Sequence, residues 1–146
     1  MAKGYPDYFG YSMFPWYGTI TRDYSVMPNL ANLTEHSIHN VISKGVCLGG
    51  QATVIILNAE PGGVSPRLYV DGALIFDEDL EDMMTFNMVD NLDAPIYLLR
   101  YNTNLRDMAF SLSTNMNFNV SFELRIDNVS GGLISVISSL YYTIIV

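Results

Sequence analysis

The chain of 146 residues has one cysteine, few charges and no long apolar run. A single cysteine, Cys47, excludes an internal disulfide framework and any zinc site built from three or four thiolates. Its neighbours Val46 and Leu48 make it a small buried filler rather than a reactive thiol. Charged residues are 15% of the chain, against roughly 25% in ordinary soluble domains. They divide into 15 acids and 7 bases, a formal net charge of -8. That sign excludes generic binding to a nucleic-acid backbone, which needs clustered Lys and Arg. No stretch of 18 apolar residues occurs, so no spanning helix is expected and no membrane partner is implied. The opening segment from Met1 to Pro6 lacks the apolar stretch of a secretory signal.

Catalytic patterns are also missing. No serine sits in a Gly-x-Ser-x-Gly elbow. Gly49-Gly50 and Gly62-Gly63 do not form a phosphate-cradling loop, because no lysine follows at the required spacing. His36 and His39 are the only histidines, with Glu35 adjacent, but they do not make a His-Glu-x-x-His motif. They would share a face if a helix formed there, and a pH-sensitive contact is the other use for them. Glu60 and Glu123 have no spacing that marks a glycosidase pair. The chain is therefore not expected to be an enzyme. Three Asn-x-Ser/Thr sequons begin at Asn32, Asn119 and Asn128, and an Asn-rich chain produces such matches by chance.

Aromatic residues are plentiful and unevenly placed. Residues 1–18 hold Tyr5, Tyr8, Phe9, Tyr11, Phe14, Trp16 and Tyr17 among Gly4, Pro6, Gly10, Pro15 and Gly18. The glycines and prolines break regular structure, yet so many rings are not left in water. This segment reads as an irregular aromatic arm, docked on its own domain or on a neighbouring copy. Tyr8, Phe9, Phe14, Trp16 and Tyr17 are its candidate interface anchors.

From residue 19 to residue 146 the pattern is that of strands. Thr19–Met27 is a plausible first strand with Ile20, Arg22, Tyr24 and Val26 on one face, ended by Pro28. Asn29–Ser43 fits a short helix or a loop entering a strand. Thr53 to Leu57 is a β-branched core strand. Asp71-Gly72 between two apolar runs is the strongest hairpin signal in the chain. Met83–Val89 alternates through Met84, Phe86 and Met88, and Ile96–Tyr101 and Met108–Thr114 are further strands. Phe118, Val120, Phe122, Leu124 and Ile126 alternate with polar residues, one face core and one face solvated. The last strand runs through Ile144 to Val146, and both are interface candidates because a frayed tail is rarely so apolar. Tyr97 and Tyr101, four residues apart, should share a face that packs inward or stacks on sugar.

The run Asp77-Glu78-Asp79-Leu80-Glu81-Asp82 reads as a solvated turn. Calcium at Asp77, Asp79 and Asp82 is its functional alternative, although EF-hand spacing is not met. No other cofactor is implied.

Many short strands without long amphipathic helices predict an all-β fold, a single jelly-roll-like β-sandwich over 19–146 behind the arm. The cadence of residues 50–146 resembles small virion proteins of tailed phages and related viruses. It is carried by Leu68-Tyr69-Val70-Asp71-Gly72, Met108 to Ser113, Phe118-Asn119-Val120-Ser121-Phe122, Gly132 to Val136, and Leu140 to Ile144. The resemblance implies a structural virion protein that forms a symmetric homo-oligomer, a trimer or higher. Its partners would be other capsid or tail proteins, and it would decorate, cement or build part of a capsid or tail. No catalytic residue is carried over. A glycan or host-surface binding module is the first rival. A cupin-like enzyme is the second, and it would need histidines converging inside the barrel.

Overall fold

Alternation of apolar and polar residues builds strands, and strands of this chain pair into two antiparallel sheets. The computed structural model describes residues 19–86, 88 and 94–145. The strands are β1 (Ile20–Leu30), β2 (Thr34–Ile42), β3 (Gly45–Ile56), β4 (Val64–Val70), β5 (Ala73–Asp77), β6 (Ile96–Asn102), β7 (Asp107–Leu112), β8 (Met116–Phe118), β9 (Ser121–Asn128) and β10 (Ile134–Ile144). One short helix, α1 (Leu80–Thr85), interrupts them.

The first sheet runs β1-β10-β3-β7-β6, with β8 also on β3, and the second runs β2-β9-β4-β5. First pairs with last, second with next to last, and β4 with β5 at the centre of the chain. This is the path of a long hairpin rolled into two sheets, the jelly-roll arrangement. The expected all-β sandwich is therefore the observed fold.

The core lies between the sheets. Phe110, Phe118, Phe122, Leu124 and Ile126 are fully buried, and the Phe118 and Phe122 rings tilt together at 5.5 Å. Each such side chain contributes about 1.5–3 kcal/mol by leaving water. The hairpin at Asp71-Gly72 closes β4 on β5, with φ of 54° and 83° at its two residues, the positive pair a type I′ turn needs.

Four local expectations are changed or decided. Pro28 does not end β1, which continues to Leu30 through a register shift and a positive φ at Asn29. β1 is an edge strand, where a missing N–H is tolerated. Of the two readings left open for Asn29–Ser43, the loop entering a strand is the observed one: after the end of β1 and a short turn, Thr34–Ile42 is β2. Where Met83–Val89 reads as a strand, Leu80–Thr85 is helical. Asp79 caps it by accepting from the Glu81 N–H at 2.7 Å, and Glu81 and Asp82 favour its N-terminus. Leu80 and Met83, three apart, are buried, a helical spacing that outweighs the period-2 alternation. The fourth change concerns 118–126, which is not one strand. Phe118 belongs to the first sheet and Phe122 to the second, and Val120 stands exposed at the corner between them.

Candidate binding face and assembly surface

The outer face of the second sheet is covered by ions. Arg67 on β4 faces Glu35 at 2.8 Å, Asp77 at 3.1 Å and Asp127 at 3.3 Å. Arg125 on β9 faces Glu35 and Glu123, each at 3.0 Å, and lies 4.7 Å from the centre of the Tyr69 ring. The Arg67 hydrogen bond holds Glu35 below the usual carboxylate range, and the Arg125 hydrogen bond does the same for Glu123. The polar positions between Phe122, Leu124 and Ile126 thus form a solvated face with its charges paired.

The outer face of the first sheet is different. Register aligns Tyr24 (β1), Ser139 (β10), Gln51 (β3), Ser111 (β7) and Tyr97 (β6) in one straight cross-strand row. Arg22 and Tyr141 pair beside the row on one side, and Val26 and Ile137 on the other. Arg22 donates to Ser139 Oγ through Nε at 3.3 Å and Nη2 at 3.1 Å, with its guanidinium 4.9 Å from the Tyr24 ring centre. Two adjoining depressions, about 260 Å³ and about 220 Å³, both bordered by Gln51 and Tyr141, make a shallow groove over the row from Ser139 to Tyr97, with Tyr24 beyond its Arg22 margin. The shared face of β1, with Ile20, Arg22, Tyr24 and Val26, is this outer face.

Tyr97 and Tyr101 do not share a face. The register of β6 shifts between Leu98 and Arg100. The extra residue turns Tyr97 outward to the groove and Tyr101 inward against the core. Burial pushes the Tyr101 hydroxyl up to about 12, with Glu81 and Asp79 adding to it, and the hydroxyl finds no hydrogen-bond partner among the described residues.

His39 is a buried polar group that links the two sheets. A bulge between Ser37 and His39 places both histidines opposite inward residues, His36 by Ile126 and His39 by Leu124. His39 Nδ1 lies 2.7 Å from Asp23 Oδ2 on β1, and Nε2 lies 2.7 Å from Ser138 Oγ on β10. Ser138 Oγ is also 3.1 Å from the Gln51 carbonyl. Asp, His and Ser in this order have the spacing of a hydrolytic triad. Ser138 is only 2% exposed, however, and its hydroxyl faces the other sheet, so the three residues brace β1, β2 and β10 together. Sequence reasoning singled out His39 but neither partner, since 16 and 99 residues separate them from it.

The acidic run is used locally. Asp77 pairs with Arg67 and Asp79 caps α1. Among the described residues no three His, Cys, Asp or Glu side chains converge as metal ligands. Asn128, a sequon asparagine, is fully buried and donates to the carbonyls of Leu30, Ala31 and Gly132. Tyr8, Phe9, Phe14, Trp16, Tyr17 and Val146 lie outside the described residues. Ile144, the remaining interface candidate, is exposed at the end of β10.

No protein-family model matches the chain, and no curated protein matches it. A solved structure that aligns with it is that of the infectious bursal disease virus Gx strain. It is 15% identical, with 87% of this chain and 32% of that chain covered and a TM-score of 0.39. The chain thus spans about a third of that protein's length.

Proposed function

We propose that this chain is a structural virion protein that self-assembles into a symmetric oligomer, a trimer or higher, and decorates, cements or builds part of a capsid or tail. The jelly roll serves capsid subunits, lectins and cupins alike, so the fold alone does not choose between them. The observation that carries the choice is the apolar end of the sandwich at which the aromatic arm joins β1. Ile20 pairs with Thr143, Ile144 with Gly45, Gly45 with Phe118, and Ile42 with Ser121, so these residues share that end. Ile20 is 52% exposed, Ile42 78%, Val120 62% and Ile144 42%. Leu33, Leu57, Leu105 and Val129 are exposed at the opposite end as well. What singles out this end is that the ring-rich segment 1–18 is joined to it in sequence. Exposed apolar residues with aromatic anchors are what an interface buries.

In this reading the end of one subunit meets its neighbours, and the arm anchors the contact with Tyr8, Phe9, Phe14, Trp16 and Tyr17. The finer assignment, to a decoration, turret, spike or tail part of a phage-like virion, rests on the strand cadence of residues 50–146. The cupin rival asks for histidines converging from several strands, and both histidines here belong to β2. Sedimentation velocity over a concentration series tests the proposal. The full chain should sediment as an oligomer, and a double variant Ile42→Asp, Val120→Asp should dissociate it while keeping its β-sheet spectrum. Sedimentation as a monomer throughout would overturn it.

A further inference from the structure

We infer that the groove on the outer face of the first sheet binds an oligosaccharide carrying a carboxylate. The groove adjoins the apolar end at Ile20, which shares the outer face of β1 with Arg22, but the inference needs no part of the assembly reading.

The row Tyr24–Ser139–Gln51–Ser111–Tyr97 crosses five strands. At 4.7–4.9 Å per strand it is about 19 Å long, a platform for several sugar units rather than for one small molecule. Aromatic rings stand at both ends and Tyr141 stands beside the middle, half in solvent. Hydroxyl and amide groups fill the space between. Rings offer stacking surface to the apolar faces of sugars, and the Gln51 amide and Ser139 hydroxyl supply donors and acceptors for sugar hydroxyls. The groove is shallow and mixed polar and apolar, and it lies on the outer face of the sheet, over β10, β3 and β7, whose main-chain groups are paired on both sides. An extended peptide would instead add to a sheet edge.

Charge narrows the class of sugar. Arg67, Arg100, Arg106 and Arg125 each face a carboxylate. Arg22 faces none among the described residues, although its chain neighbour is Asp23. That carboxylate is turned to the other side of β1, where His39 holds it. Arg22 itself is steadied by Ser139 Oγ and the Tyr24 ring, which leaves its Nη1 edge free among the described residues. In a chain of net charge -8, an arginine that faces no carboxylate among the described residues, held at the margin of an aromatic groove, is a site for a ligand's acid group.

Saturation-transfer NMR on the full chain tests this, with oligogalacturonates, sialyllactose and hyaluronan tetrasaccharide as probes. Methyl-esterified galacturonate oligomers and citrate serve as the neutral-sugar and bare-anion arms. At least one acidic oligosaccharide should bind at millimolar concentration or tighter. Arg22→Gln should weaken it about tenfold or more, and Tyr141→Ala should weaken both the acidic and the esterified forms. Both positions are exposed, and an unchanged melting temperature verifies the fold of each variant. Absence of transfer to every acidic probe overturns the inference, as does binding indifferent to both substitutions. Citrate binding equal to that of the sugars overturns the saccharide assignment.

Discussion

The imidazole of His39 and the carboxylate of Asp23 meet at 2.7 Å across the edge of the sandwich, one from each sheet. The imidazole is fully buried, whereas the carboxylate is nearly half exposed. The partners should therefore differ in worth. His39→Ala leaves a cavity and removes the buried ring that joins Ser138 to Asp23, at a cost of about 3 kcal/mol. Asp23→Asn keeps an acceptor in a solvent-screened position and should cost about 1 kcal/mol or less. Urea midpoints of the two variants check this order. Equal losses would contradict the brace.

Asp71 ties the central hairpin to the corner where the chain changes sheets. Its Oδ1 accepts from the backbone N–H groups of Asn119, Val120 and Ser121 at 2.8, 2.7 and 3.1 Å. The Val120 bond leads in holding its carboxyl below the ordinary value of 3.8. Glu35 and Glu123 are likewise held below 4.5 by the arginines they bond. A carboxyl lowered in the folded state stabilises above its unfolded pKa, and that stabilisation is lost as pH falls through the folded value. The melting temperature should therefore be flat above about pH 5.5 and fall between about pH 5 and 2. Asp71→Ala should lower the neutral plateau and shrink the acid drop. A melting curve of the variant parallel to the parent at every pH would contradict the assignment.

Asn128 is a buried joint between the first turn and the last loop. Its amide donates to three carbonyls, and its Oδ1 accepts from the N–H and hydroxyl of Ser130. Asn128→Ala strands buried carbonyls and should cost about 3 kcal/mol, read from denaturant midpoints. Asn32→Ala, at a more open place in the same loops, should cost about 1 kcal/mol.

Cys47 is wholly buried, and burial pushes its thiol up to about 11. An aromatic disulfide reagent at pH 8 should leave it unmodified for hours in the folded protein and react at once in denaturant. Rapid labelling of the folded chain would place the thiol at the surface.

The fold was legible because its strands announce themselves. Phe122, Leu124 and Ile126 alternate with charged residues, and Asp71-Gly72 can adopt the positive φ pair of a tight hairpin. Where one extra residue enters a strand, periodicity misleads. The irregularities near Ser37 in β2 and Leu99 in β6 reset which side chains face inward, and no residue type marks them. Leu80 and Met83 show a second failure, since a one-turn helix and an alternating strand overlap over so few residues. The groove was hidden for another reason. Tyr24, Ser139, Gln51, Ser111 and Tyr97 come from five strands, and only register lines them up.

Assembly of this jelly roll through its apolar end and arm is proposed from exposure and sequence, and the number of copies in solution decides it. Native mass measurement of the full chain, beside a chain lacking residues 1–18, tests it most directly. The account predicts a discrete oligomer of three or more copies for the full chain, and smaller species once the arm is removed. Two monomers at high concentration would contradict it.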